Sequence, residues 1–209
     1  LHWRAALKIL FCLPDQVIDS KKTGVKYRPT ISLPLGVLYM AGYLRGQDWP
    51  GQTEIYDARL SGTLRKDAQG SLRFGDGVFE MTERIAAAKA DVIAISNMFS
   101  WQIEQAFDMA KLAKSVCPDA TVVLGGPHAS SFPQETLATE GVDYVFMGEG
   151  EERLHQFLLK HENGKEIEIQ GVIGKEADFN LLRPSKKAPI DFIQPLDKLP
   201  IPAYDMVDV

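Results

Sequence analysis

The stretch VVLGGPHASS, Val122–Ser131, decides how the chain is read. A short apolar run rich in β-branched residues stops at Gly125-Gly126, then passes through Pro127 to His128 and two serines. A brief apolar run bounded by glycine has the pattern of a buried strand. Paired glycines at its end have two readings. They make a tight turn, or they remove two Cβ atoms so that a ligand can lie against main chain with free N–H groups. The surroundings have to decide between them.

Working outward, similar apolar runs recur between helical patterns. LKILFCL (7–13), TEIYDA (53–58), DVIAIS (91–96), ATVVLGG and DYVFMG (143–148) read as five strands. Between them, LPLGVLYMAGYLRG places Leu35, Leu38, Tyr39 and Gly42 on one face, with Pro34 suited to a first helical turn. VFEMTERIAAAKA is a second helix. WQIEQAFDMAKLAKSVC is a third, with Ile103, Ala106, Phe107, Ala110, Ala113 and Cys117 toward the core. A short helix is expected around 133–140. EERLHQFLLKH carries Leu154, Phe157, Leu158 and His161 on one stripe. The segments 14–33 and 59–76 read as loops, and IQGVIG (169–174) as an added edge strand.

Strands alternating with helices imply right-handed βαβ units and a parallel sheet covered on both faces. The expectation is an α/β, Rossmann-like (flavodoxin-like) doubly wound sheet of five parallel strands in the order 2-1-3-4-5. From residue 175 the pattern breaks. Prolines fall at 184, 189, 195, 200 and 202, and LDKLPIPAYDMV keeps no period, which is the composition of a linker or arm. The domain division expected is 1–174 and 175–209, with a longer parent protein continuing beyond.

Bulk composition narrows the function. The 209 residues are 45% hydrophobic, enough for one α/β domain with a sizeable core. A net charge of −5 argues against a broad nucleic-acid footprint. No apolar run is long enough to span a bilayer and no signal-peptide pattern occurs. Cys12 and Cys117 sit in apolar settings far apart, as buried thiols do, and the composition fits a reducing cytoplasm. No CxxC, C-x3-C-x2-C or HExxH occurs, so neither an iron–sulfur nor a zinc site is recognisable.

In open α/β sheets ligands bind at the carboxyl ends of the strands. Those ends carry Pro14-Asp15, Asp57, SNMFS (96–100), GGPHASS and GEGEE (148–152). Several chemistries fail here. The first strand is not followed by G-x-G-x-x-G, and there is no GxxxxGK[ST] and no GxSxG. The third strand ends in Ser96 rather than the aspartate of a phospho-acceptor domain. His128 beside Ser130 and Ser131 is a turn composition rather than a triad. Blander roles exist for the other features: a helix N-cap for Ser96, and a turn plus a helix start for GEGEE.

Taken together, the pattern resembles a family. Ser96-x-Met98, followed after twenty-six residues by Gly125-Gly126, resembles the S-x-L…GG signature of cobalamin-binding domains. ISLPLGVLYMAGYLR, DVIAIS, VVLGGPHAS and DYVFMGEGEE, in that order, resemble the N-terminal domain of cobalamin-dependent radical SAM enzymes. That family includes methyltransferases and anaerobic magnesium-protoporphyrin monomethyl ester cyclases. The resemblance covers residues 7 to about 160, and LDKLPIPAYDM is similar to the family's connector toward the radical SAM barrel.

The resemblance implies that the nucleotide tail of cobalamin enters a cleft at the strand ends. Gly125 and Gly126 would admit it, and Ser96, Met98 and Phe99 would face it. Gly148, Glu149 and Gly150 would flank it, with the loop at His128 alongside. Thr30 to Gly36 would cover the corrin. The D-x-H-x-x-G motif, whose histidine coordinates cobalt from below, is absent, as it often is in the radical SAM subgroup. His128 is expected to be a polar loop residue rather than an axial ligand. The implied function is a cobalamin-holding module. S-adenosylmethionine and an iron–sulfur cluster would belong to a C-terminal radical SAM domain outside this chain. The alternatives are tetrapyrrole ring cyclisation, a free-standing cobalamin carrier or sensor, and a domain that kept the fold but lost its ligand.

Overall fold

The computed structural model of the chain describes residues 6–21, 24, 26, 28–29, 31–177, 193 and 195–207. Thr30 of the expected corrin cover, and Pro184 and Pro189 of the proline-rich arm, lie outside the described residues. The strands are β1 (Lys8–Leu13), β2 (Gln16–Asp19), β3 (Gln52–Asp57), β4 (Leu64–Lys66), β5 (Leu72–Phe74), β6 (Val92–Ser96), β7 (Thr121–Gly125), β8 (Tyr144–Phe146) and β9 (Val172–Gly174). The helices are α1 (Leu35–Gly46), α2 (Val78–Ala88), α3 (Ile103–Val116), α4 (Pro127–Ser131), α5 (Pro133–Ala138) and α6 (Glu151–Glu162).

The central sheet runs β3-β1-β6-β7-β8-β9. Its first five strands are parallel, and in strand numbers counted along the chain they follow the expected order. β9 closes the edge antiparallel to β8. The strands are buried on both faces, which is why they read as continuous apolar runs rather than alternating ones. One face packs Leu10, Ile93, Ile95 and Leu124 under α2 and α3. The other packs Ile9, Phe11 and Val123 under α1 and α6, whose Val37, Leu44, Leu154 and Phe157 are buried. Among the described residues no helix is long and apolar enough to cross a membrane.

Three features differ from the sequence expectation. The loops at 14–33 and 59–76 contain a second, three-stranded antiparallel sheet, β2-β5-β4. Buried Asp15 holds it together: it pairs with Arg65 and takes two hydrogen bonds from Arg73, at 2.6 and 2.7 Å. The segment after Gly126 is a helix, α4, and not a turn. Pro127 starts it, where its missing N–H costs nothing, and the Ser130 and Ser131 hydroxyls donate back to Gly126 O and Pro127 O. In α1 the buried face is Val37, Leu38, Ala41, Gly42 and Leu44, while Leu35 is exposed.

The rotation of α1 has a cause in the C-terminal segment. Residues 200–206 run along the helix, with Ala203 buried and its N–H donating to Leu38 O at 3.0 Å. A Cβ at Gly42 would stand 2.7 Å from Ile201 O, so glycine permits that approach. Arg45 grips Asp205 with both terminal nitrogens, at 3.1 and 3.0 Å.

Candidate functional site

A cleft opens at the carboxyl ends of β1, β6, β7 and β8, between α1 and α6, with a cavity volume of about 220 Å³. Phe11, Ala94, Val123 and Phe146 make its apolar floor. Ser96, Met98, Gly125, Gly126, Gly148, Glu149 and Gly150, all singled out in the sequence, line it. Gly36 lines it from the first βα connection. Phe99 lines a smaller adjoining hollow of about 70 Å³. His128 reaches neither: it is buried against Phe107 and Phe132, its ring centroid 5.0 Å from that of Phe132.

The two glycines of the opening stretch separate on inspection. Gly126 has φ +117°, and a Cβ there would run into the backbone carbonyl of Asn97. Its glycine is required by the fold. Gly125 has no such constraint. A Cβ on it would make ordinary contact, 3.5 Å from the Phe146 Cβ, on the wall of the cleft. Gly125 is therefore the one whose missing side chain leaves the cleft wall open.

The loop beyond β8 is fastened from three sides. The Ser130 hydroxyl donates to Gly126 O and accepts from the Gly148 N–H, both at 2.9 Å, tying the ends of β7 and β8 together. Arg153 donates to Glu149 O at 2.5 Å and to Gln170 O at 2.7 Å. The Glu149 carboxylate accepts from the Ile193 N–H at 2.6 Å. The carboxylates at the other strand ends are likewise engaged. Asp57 takes two hydrogen bonds from the Arg59 side chain, at 2.7 and 2.5 Å, and Arg59 also donates to Ser32 O at 3.2 Å. Asp15 and Asp57 thus shape the first and second strand ends rather than face the cleft as free charges.

Two residues of the cleft lining carry buried polar atoms without a partner. Asn97 is 2% exposed, and neither its amide nitrogen nor its amide oxygen has a partner. It lines both the cleft and the smaller hollow. Glu151, at the start of α6, lines the cleft with a buried, unpartnered Oε2, and burial pushes its carboxyl above the ordinary glutamate range. Asn97 and Glu151 were missed in the sequence. Asn97 stood in the variable position of Ser96-x-Met98, and Glu151 looked like a helix-start acid.

The model for the B12 binding domain matches residues 22–158. The chain belongs to the B12-binding domain family. Among curated proteins this B12-binding domain is similar to the cytidylyl-2-hydroxyethylphosphonate methyltransferase of Streptomyces wedmorensis. Identity is 29% over 201 residues, covering 84% of this chain and 37% of that protein. An uncharacterized methyltransferase of Pyrococcus horikoshii is 28% identical over 202 residues, covering 96% of this chain and 39% of that one. The domain thus spans under two-fifths of the length of these relatives. Among solved structures its fold matches the radical S-adenosylmethionine methyltransferase TsrM from Kitasatospora setae, with cobalamin and a [4Fe-4S] cluster bound. The TM-score is 0.60 at 16% identity, covering 82% of this chain and 27% of that one.

Proposed function

We propose that this chain is the cofactor module of a cobalamin-dependent radical SAM methyltransferase. It would hold the nucleotide tail of cobalamin in the cleft between β6, β7 and β8. The observation that carries this is Gly125: its main chain forms a cleft wall that a side chain could cover without strain, beside an Asn97 amide that no protein group satisfies. A ligand with a slender polar tail fits both, because burying an unpaired amide is costly unless something completes it. When bound, cobalamin supplies the cobalt that carries a methyl group; the protein supplies binding and orientation.

Within this reading Ser96, Gly125 and Asn97 contact the tail. Met98 and Phe99, both exposed at the rim, offer apolar surface to the corrin. Residues 1–174 form the cobalamin-binding domain. Residues 175–209 form the connector to a C-terminal radical SAM domain that holds S-adenosylmethionine and the iron–sulfur cluster. The free thiols of Cys12 and Cys117 are in keeping with a cytoplasmic setting. The methyltransferase names of the two relatives favour methyl transfer over ring cyclisation.

Among the described residues no histidine lines the cleft, and the cobalt is expected to bind without an imidazole ligand. Loading the chain with hydroxocobalamin and recording its absorption spectrum tests this. Saturable binding with a spectrum free of nitrogen ligation, unchanged in His128→Ala, is the expected result. Absence of binding, or a nitrogen-ligated spectrum lost in His128→Ala, would refute it.

A further inference from the structure

Two adjacent serines on α4 make the same local bond, and one of them makes a second. Ser130 and Ser131 each donate a hydroxyl to the carbonyl four residues back, Gly126 O and Pro127 O, both at 2.9 Å. Bonds of this kind are ordinary for a serine in a helix. Ser131 is exposed, whereas Ser130 is half-buried. The Ser130 Oγ also accepts from the Gly148 N–H at 2.9 Å, eighteen residues away. A hydroxyl has one proton to give and two lone pairs, so both bonds form at once. They make a chain from Gly148 N–H through Ser130 O–H to the Gly126 carbonyl, in which each bond polarises the next.

The chain of bonds spans a place where the sheet gives no support. β7 and β8 stay in register only as far as Gly125 opposite Phe146. Gly126 and Gly148 lie beyond that pair, and both line the cleft. Gly126 is fixed against Asn97, whose carbonyl would meet a Cβ there. Gly148 has φ +72°, in the left-handed region, one of several conformations open to glycine at similar cost, so its place has to be set by its neighbours. Arg153 holds the next residue through Glu149 O, and Ser130 ties Gly148 to the end of β7. We infer that Ser130 is a positioning residue that sets the separation of the β7 and β8 walls and so preorganises the cleft. Ser130 does not line the cleft, so it acts through Gly126 and Gly148 and touches no ligand itself. The inference rests on the cobalamin reading above only for what the cleft holds. A wall whose ordering is completed by folding costs less to order on binding, and affinity gains by that difference.

Three variants of the 209-residue chain test this: Ser130→Ala, Ser131→Ala and Ser130→Thr. Ser131→Ala deletes the same kind of back-bond at an exposed position and is the control for a merely local role. Ser130→Thr keeps a hydroxyl that bonds the carbonyl one turn back in a helix. The first readout needs no ligand. Hydrogen exchange at the Gly148 amide should quicken about tenfold in Ser130→Ala, the loss of one hydrogen bond, and match the wild type in the other two. The second readout is affinity for hydroxocobalamin. It should fall about fivefold in Ser130→Ala and stay within about twofold of the wild type in Ser131→Ala and Ser130→Thr. The inference is overturned by unchanged Gly148 exchange in Ser130→Ala, by equal affinity losses in the two alanine variants, or by a folded Ser130→Thr that binds no better than Ser130→Ala. A Ser130→Ala chain that fails to fold beside an intact Ser131→Ala would mark a structural role and overturn it as well. Failure of the wild type to bind hydroxocobalamin would overturn the cobalamin reading alone, because the exchange comparison is made without ligand.

Discussion

Gly125 and Gly126 are neighbours at one strand end, yet a side chain would meet different surroundings at each. At Gly126 the demand comes from inside the chain, because the Asn97 carbonyl and a φ of +117° leave no room for a Cβ. At Gly125 nothing within the protein forbids one. The same contrast runs through the whole strand-end surface. Its inward side is complete: Asp15 is paired with Arg65 and Arg73, and Asp57 with Arg59. Its cleft side is incomplete: the Asn97 amide and the Glu151 Oε2 lack partners. A position that the fold has already satisfied reports on stability, and one it has left unsatisfied is where, on the proposed reading, a ligand is sensed.

Substitutions can break or sharpen that contrast. The largest effect is expected at Gly126. Gly126→Val adds backbone strain and overpacking, each about 1–3 kcal/mol, so stability should fall by about 4 kcal/mol with or without cobalamin. Urea denaturation of the unliganded chain measures it, and an undiminished midpoint would erase the distinction between the two glycines. Next comes Asp15→Asn, which leaves two partly buried guanidiniums uncompensated. A loss of about 3 kcal/mol is expected, read by the same denaturation, with cobalamin affinity unchanged in the fraction that remains folded.

Gly125→Ala should behave in the opposite way. The unliganded melting temperature should hold or rise slightly, because alanine restricts the unfolded chain. Affinity for hydroxocobalamin should drop about tenfold, or about 1.4 kcal/mol, by titration calorimetry. The smallest effect concerns pH. Burial raises the Glu151 pKa, so its favourable contribution is present below the ordinary glutamate value, about 4.3, and is lost as pH rises through the raised value. Glu151→Gln removes that loss. Across pH 4 to 7 the unliganded variant should therefore gain in melting temperature relative to the wild type, and a constant difference would show that the carboxyl is not desolvated.

Much of this surface was legible in the sequence. The five parallel strands announced themselves as short apolar runs ended by proline, glycine, serine or aspartate, and IQGVIG was read as the edge strand it contributes to. The small sheet was not legible. Its strands are three or four residues long, and LRK and LRF carry too few apolar positions to show a period. What fixes them is Asp15 meeting Arg65 and Arg73, fifty and fifty-eight residues away, which no local pattern encodes. α4 was obscured because Gly-Gly-Pro-His is turn composition, although Pro127 followed by serines that can bond back is also a helix start. The division between Gly125 and Gly126 was invisible for a related reason. It depends on where Asn97, on the neighbouring strand's loop, places its carbonyl.

Glu149 belongs to both sides of the contrast. It lines the cleft, and its carboxylate also holds the backbone of Ile193, in the segment that goes on to lie along α1. On the proposed reading, ligand occupancy and the docking of that segment share one residue and would be linked equilibria. By reciprocity, whatever factor ligand adds to the docked population, docking must add to ligand affinity. Hydrogen exchange at the Ile193 amide, followed with and without hydroxocobalamin, reads that factor from one end, and the affinity of Glu149→Gln reads it from the other.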